Sequence, residues 1–371
     1  MVATPSRAQS IDVMRGMTLA LMIIVNMSIS EEKSYGPLLH AVWHGLTLTD
    51  VVFPTFLFVV GTSLSFAMDK YQRMGTAAVL KKVISRTALI FLCGYLLYWF
   101  PFFQTDANGH WGMIPLENTR ILGVLQRIAL CYGVAALLIH FAKARGAVIY
   151  SVLALLGYWW VMAAWGDYSL QGNAALRADL ALLGSAHMYK GEGIPFDPEG
   201  VLGTFPAVVN VLAGYFAGRF LRLGGANYEV LAKLLMLGIV AIALALAWSS
   251  VFPLNKKLWT SSYVMCTIGI DLCVLAMLSY LIDIACVRRW NGFFEAFGKN
   301  TLFIYLFAEV LMSVLWISHV GDKALFDWLY LNGFQWWAGD KNGSLAFAIV
   351  FMLGCWWTAH AMDKKGIYIK L

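Results

Sequence analysis

Apolar residues run along this chain in long blocks, each bounded by charge, Gly or Pro, without the strict alternation that marks a half-buried strand. Blocks of roughly 20 residues suit helices that cross a hydrocarbon core of about 30 Å. The pattern predicts an all-α fold, a polytopic transmembrane helical bundle of about ten spans. They are expected near residues 11–30, 47–68, 85–103, 120–141, 146–165, 200–220, 229–250, 260–284, 297–317 and 344–362. A polar stretch from Gly166 to Glu199 separates the first group from the second. The segment Lys323 to Trp337 is aromatic but interrupted by Asp327 and Gly333, and reads as an interfacial or re-entrant helix. Nothing along the sequence marks a domain boundary, so 1–371 is read as a single membrane-embedded domain.

Composition agrees with that reading. Of the 371 residues, 60% are hydrophobic and 13% charged, far from the usage of a soluble domain. A membrane barrel would show alternating segments of about ten residues, which are absent. The six cysteines fall in or beside apolar runs without CxxC or His-Cys spacing, so neither a disulfide framework nor a metal site is expected. The short polar N-terminus leads into the first apolar run without a convincing small-residue cleavage site, and that run is expected to be retained.

The formal charge of +6 is informative through its placement. An even number of spans puts both termini on one side. Arg7, Arg15, Lys70, Arg73, Lys81, Lys82, Arg86, Lys143, Arg145, Arg219, Arg222, Arg288, Arg289, Lys364, Lys365 and Lys370 all fall on that side. It is therefore predicted to be cytoplasmic. The opposite loops hold fewer cations, and the largest of them carries Asp179, Glu192, Asp197 and Glu199. Topology thus accounts for the basic residues, and no nucleic-acid partner is expected.

Ionisable groups inside spans cost a few kcal/mol unless paired or facing water, so each is a functional candidate or a packing device. Asp12 and Arg15, three apart, read as a structural ion pair. Asn26 lies near the outer end of the first span. His40 follows in a short outer loop that tethers it near Asn26 and near Asp50, early in the second span; an imidazole there can take a proton from an amine. Arg127 belongs to the outer half of the fourth span and needs an acidic partner, for which Asp50 and Glu309 are the candidates. Asp271 sits near the middle of the eighth span. Asp197 and Glu199, with Asn255, Lys256 and Trp259, end two outer loops and suit recognition of a cationic sugar; helix capping and an aromatic belt are the bland alternatives.

No Walker loop, G-x-S-x-G, H-E-x-x-H or Rossmann fingerprint is present. The sequence does resemble the heparan-α-glucosaminide N-acetyltransferase family within the transmembrane acyltransferases. The resemblance covers nearly the whole chain. It is carried by the run from Ser10 to Gly16, Val25-Asn26, His40 to Thr47 leading into Asp50 to Pro54, Leu122 to Arg127, Asp197 to Gly200, and Asn255 to Trp259.

The resemblance implies a membrane enzyme that moves an acetyl group from cytosolic acetyl-CoA to the amine of a glucosamine-type sugar on the outer side. It implies His40 as general base and Asn26 as an orienting or oxyanion-stabilising group. Asp50, Arg127, Asp197, Glu199, Asn255, Lys256, Trp259 and Glu309 are the substrate-binding candidates. Acetyl-CoA is the expected co-substrate, with no metal; the other expected partners are an amino sugar and the lipid bilayer, with a homodimer as the candidate assembly. A large N-terminal luminal region like that of lysosomal members is not expected here, and Ser28, Ser30, Glu31, Glu32 and Lys33 stand where a Gly-rich run is expected. Those departures point to a bacterial inner-membrane protein acting on a glucosamine-containing saccharide rather than on heparan sulfate. An amino-sugar transporter without acyl transfer is the alternative, since about ten spans with midplane polar residues also suit alternating access.

Overall fold

The computed structural model describes residues 9–105 and 110–369; Arg7 and Lys370, assigned to the cytoplasmic side above, lie outside them. Its helices are α1 (Gln9–Asn26), α2 (Leu48–Gln72), α3 (Thr76–Trp99), α4 (Val124–Leu137), α5 (Lys143–Ala164), α6 (Ala174–Leu182), α7 (Val201–Gly224) and α8 (Tyr228–Trp248). They continue with α9 (Ser261–Ser279), α10 (Asn291–Lys299), α11 (Thr301–Ile317), α12 (Leu325–Tyr330), α13 (Trp336–Ala338) and α14 (Asp340–Lys364). Two small antiparallel hairpins, β1 (Phe103–Thr105) with β2 (Trp111–Met113) and β3 (His319–Val320) with β4 (Lys323–Ala324), decorate loops. The all-α expectation misses these hairpins, because pairs of two or three residues leave no periodic signal.

Every expected apolar run carries a helix, and the protein is a helical membrane protein. By length and composition, 6 helical stretches among the described residues can cross a membrane, or 7 when α10 and α11, bent by 84°, count as one. One of the six runs from Val124 to Ala164. It breaks at Lys143, whose φ of 59° is left-handed, and so separates into α4 and α5. Boundaries move for identifiable reasons. α3 starts at Thr76, well before the expected position 85, because Lys81, Lys82 and Arg86 interrupt its apolar pattern without interrupting the helix. α1 stops at Asn26, and Ser28 turns its hydroxyl onto the Leu38 carbonyl (3.1 Å).

With little hydrophobic drive between helices in lipid, close backbone approach does the packing. Along α2 and α7, a Cβ at Gly61 would stand 1.9 Å from the Val211 carbonyl oxygen, and one at Gly214 would stand 1.9 Å from that of Phe58. Only glycine fits at either place. At one end of the bundle Ser10 bonds Asp283 (2.6 Å), Asp69 pairs with Arg222, and Lys299 pairs with Asp363 (2.8 Å). Nearby, Arg15 bonds Asp12 (3.0 Å) as expected, and also Ser63 (2.6 Å). At the other end the start of α2 meets the loop before α9, and the start of α4 meets the start of α7. That second convergence builds the site.

Candidate functional site

The loop before α2 is irregular, yet three contacts fix it. Trp43 donates through Nε1 to the Tyr168 carbonyl (2.9 Å), the Gly45 N–H donates to the Leu254 carbonyl (2.8 Å), and Lys257 donates to the Val42 carbonyl (2.9 Å). The loop then enters α2 through a capping box between Thr47 and Asp50. Asp50 is 1% exposed, and its Oδ2 accepts the backbone N–H groups of Ala41 (3.1 Å) and Thr47 (3.0 Å). Its Oδ1 lies 2.7 Å from His40 Nδ1.

This arrangement dictates the histidine tautomer. A carboxylate can only accept, so His40 donates through Nδ1 and keeps its lone pair on Nε2. The His40 side chain remains 46% exposed, turned to the loop surface rather than into the bundle. Lys256 Nζ stands 3.1 Å from His40 Nε2 and 3.2 Å from Nδ1. Burial pulls the Lys256 ammonium below its ordinary value, although Glu199 and Asp50 favour its charged form. The Tyr263 hydroxyl secures the backbone beneath by donating to the Asp50 carbonyl (2.6 Å).

The remaining candidates divide sharply. Asp197 and Glu199 do not present free carboxylates: Arg120 grips Asp197 through Nε (2.9 Å) and Nη2 (2.6 Å), and Glu199 through the same Nη2 (2.6 Å). Burial opposes ionisation of Glu199, but Arg120, Arg127 and Lys256 outweigh it and hold its carboxyl below the ordinary range. The expected acidic partner of Arg127 is absent among the described residues, since neither Asp50 nor Glu309 reaches it. Its Nη2 donates to the Gly200 carbonyl (2.9 Å), its guanidinium stacks on Trp259 at 4.8 Å, and Nε and Nη1 are buried without partners. Trp259, expected to stack on a sugar, is fully buried at a φ of 56°, with its Nε1 aimed at Asn210 (3.3 Å). Asn255 is also buried; its Oδ1 accepts from the Leu258 N–H (2.8 Å) and its Nδ2 faces His44 Nδ1 (3.3 Å). Both residues shape the loop that carries Lys256.

Asn26 pairs with Glu309, not with His40: its Nδ2 donates to Glu309 Oε1 (2.9 Å) across α1 and α11. The two side chains line a small pocket with Met22, Tyr305 and Phe351. Sequence reasoning overlooked Arg120 and Tyr263 as members of the site. Arg120 was visible as a cation in an outer loop beside an acidic one, whereas Tyr263 gave no signal. No group of three or more His, Cys, Asp or Glu placed to hold a metal occurs among the described residues.

Residues 7–243, which include His40, Asp50, Arg120, Arg127 and Glu199, match the family described as heparan-alpha-glucosaminide N-acetyltransferase, catalytic. The chain belongs to this family. Curated relatives carrying the heparan-alpha-glucosaminide N-acetyltransferase name include one from Homo sapiens, 28% identical over 365 residues, and one from Mus musculus, 26% identical over 370. Each alignment covers 83% of this chain, and 53% or 54% of the relative. The chain therefore spans about half the length of the curated relatives it matches. The family match ends at 243, within α8, so Lys256 and Glu309 lie outside the matched region.

Proposed function

We propose that this family member is a transmembrane acetyltransferase, transferring the acetyl group of cytosolic acetyl-CoA to the amine of a glucosamine-type sugar on the outer side. The observation that carries the reading is the His40–Asp50 pair, which leaves Nε2 of an exposed histidine unprotonated, 3.1 Å from the Nζ of a half-buried lysine. In the proposed topology about ten helices cross the membrane, both termini are cytoplasmic, and the chain forms one domain in a bacterial inner membrane. Support for that orientation is the one-sided distribution of Lys and Arg. The His40 loop then lies outside, where the acceptor sugar arrives.

In this mechanism the neutral sugar amine attacks the thioester carbonyl as His40 Nε2 takes the amine proton. The C–N bond forms, the C–S bond breaks, and the thiolate of CoA recovers the proton from His40. Asp50 holds the imidazole in the useful tautomer and stabilises the imidazolium. The Lys256 ammonium, 3.1 Å from Nε2, favours negative charge developing on the carbonyl oxygen or the thiolate. Asn26 and Glu309 are assigned to the acceptor, as a donor–carboxylate pair able to orient sugar hydroxyls or the amine.

The test is transfer of labelled acetyl from acetyl-CoA to glucosamine and other amino sugars by purified protein in detergent. Wild type should form product, and His40→Ala, folded and still binding CoA, should not. Absence of product from every amino sugar tried, together with sugar counterflow that needs no acetyl-CoA, would overturn the reading in favour of transport.

A further inference from the structure

Between the end of α3 and Arg120 the chain makes an excursion that carries β1 and β2, and side chains close its stem. Trp99 donates through Nε1 to the Ile114 carbonyl (2.9 Å), the Ile114 N–H donates to the Phe102 carbonyl (2.9 Å), and Arg120 Nη1 donates to the Tyr98 hydroxyl (3.0 Å). The Phe102 ring packs edge-on against Trp99 at 5.1 Å. The ribbon is thereby held at the end of a helix, on the side of the bundle where Arg120 grips Asp197 and Glu199.

The pairing of the ribbon sorts its side chains by face. Phe103 stands opposite Met113, Gln104 opposite Gly112, and Thr105 opposite Trp111. Paired residues share a face and neighbours along a strand alternate, so Phe103, Met113 and Trp111 lie on one face, with Gln104 and Gly112 on the other. The apolar three are 51%, 59% and 80% exposed, in that order, and a Cβ at Gly112 would meet nothing within 4 Å, so neither face rests on the bundle. A two-stranded ribbon is marginal in water by itself, and three large apolar side chains on one face of it call for cover.

We propose that the Phe103–Met113–Trp111 face lies on lipid, in the leaflet on the His40 side, and that the ribbon moors the mouth of the site to the bilayer surface. The position of the ribbon selects this partner. Exposed Leu89, Leu92 and Leu96 make an apolar row along α3 that runs up to the last turn before the ribbon. From Lys82, the last exposed cation on α3, to Trp99 is about 26 Å at about 1.5 Å per residue, close to the thickness of about 30 Å of a hydrocarbon core. The ribbon therefore emerges at the level of the interface, where a lipid surface offers acyl chains to one face and headgroups and water to the other. Lying flat, it keeps its own ladder paired, as backbone at that depth requires. A dimer contact needs about 800 Å² from each partner, more than these three side chains supply. Through the Tyr98–Arg120 contact, the height of the ribbon is passed directly to the clamp on Asp197 and Glu199.

The experiment places a nitroxide label at one ribbon position at a time, through Phe103→Cys, Met113→Cys, Gln104→Cys and Gly112→Cys, in the full chain with its six native cysteines replaced and reconstituted in phospholipid nanodiscs. Collisions with oxygen, which partitions into lipid, and with a water-soluble nickel chelate read what covers each label. Labels replacing Phe103 and Met113 should be reached by oxygen and shielded from nickel, at a depth of about 5–10 Å into the headgroup–acyl boundary, and labels replacing Gln104 and Gly112 should be reached by nickel. Should the cysteine-free chain not fold, Trp111→Phe in the native background takes its place: the emission lost with Trp111 should be quenched by lipids brominated in the acyl chain and not by iodide in water. Nickel access at all four labels, or iodide quenching of Trp111, overturns the proposal. Shielding of the first two labels from both oxygen and nickel means that protein covers the face, and overturns it too; spin–spin broadening that grows with protein per disc then assigns a second copy. Shielding that arises only with added glucosamine gives the face to the acceptor and overturns it as well. No readout depends on acetyl transfer, so failure here is distinct from failure of the acetyltransferase reading.

Discussion

Replacing Asp50 by Asn is the most discriminating single change, because the surroundings dictate how the new side chain must turn. Oδ2 of Asp50 faces two backbone donors, Ala41 N and Thr47 N, whereas Oδ1 faces only His40 Nδ1. Asparagine has one acceptor oxygen, and the two backbone N–H groups claim it. Its NH2 then points at His40, forcing Nδ1 to accept and moving the ring proton to Nε2. The base is lost without loss of shape. A wrong tautomer of this kind in a histidine–carboxylate pair lowers kcat by about 10⁴, which corresponds to roughly 5 kcal/mol of barrier. For Asp50→Asn the expected loss of kcat is about 10³- to 10⁴-fold, with little change in KM for either substrate and a melting temperature near that of wild type, since the cap survives. Initial rates of acetyl transfer, measured beside a thermal melt, check both halves. A folded Asp50→Asn protein retaining more than a tenth of wild-type kcat would refute the role given to His40 Nε2.

Four other outcomes are expected. Arg120→Gln leaves Asp197 and Glu199 side by side without their cation and should cost about 3 kcal/mol or more, read as a fall in melting temperature that adding Asp197→Asn and Glu199→Gln partly restores. Trp259→Ala opens a cavity beneath Arg127 and should cost about 3–5 kcal/mol by the same measurement. Gly214→Ala drives a methyl into the Phe58 carbonyl oxygen, so α2 and α7 must separate; a few kcal/mol of destabilisation is expected, and an unaltered melt would contradict the close approach. Asp179 is pushed by burial up to about 7 while it caps Val201 at the start of α7. Its folded value lies above its unfolded one, so its stabilising contribution is complete below about pH 4 and fades as pH rises through 7; wild type should melt lower at pH 8 than at pH 5, and Asp179→Asn should flatten that slope.

The helices were legible because a span must be apolar over a length set by the bilayer, and every run long enough to satisfy that rule carries a helix. The start of α3 was not, because Lys81, Lys82 and Arg86 look like a loop when charge alone is read; helix propensity does not exclude Lys or Arg. In the site, short-range relations were legible and long-range ones were not. His40 and Asp50 are ten positions apart within one loop and helix start, so their proximity followed from the chain's reach. Asn26 and Glu309 are 283 positions apart, and nothing in either segment announces the other. Arg127 was given an acidic partner on the general rule that buried charge is paired, but its partners are a backbone carbonyl and an indole face, neither visible as charge in a sequence.

The charge pairings revise the chemistry that the sequence suggested. Counting carboxylates in the outer loops predicts a surface that attracts a cationic sugar. With Asp197 and Glu199 held by Arg120, Glu192 by Lys257, Asp50 committed to His40, and Asp179 buried against the start of α7, most of that acidity is already taken up within the protein. Among the described residues, Lys256 and Arg127 remain with no ion-pair partner, on the side where His40 opens. Such surroundings favour a developing oxyanion or thiolate and disfavour an approaching ammonium. On the proposed reading, then, the acceptor amine reacts in its neutral form, and Glu309, whose partner Asn26 is neutral, is the place where its proton can be left before attack.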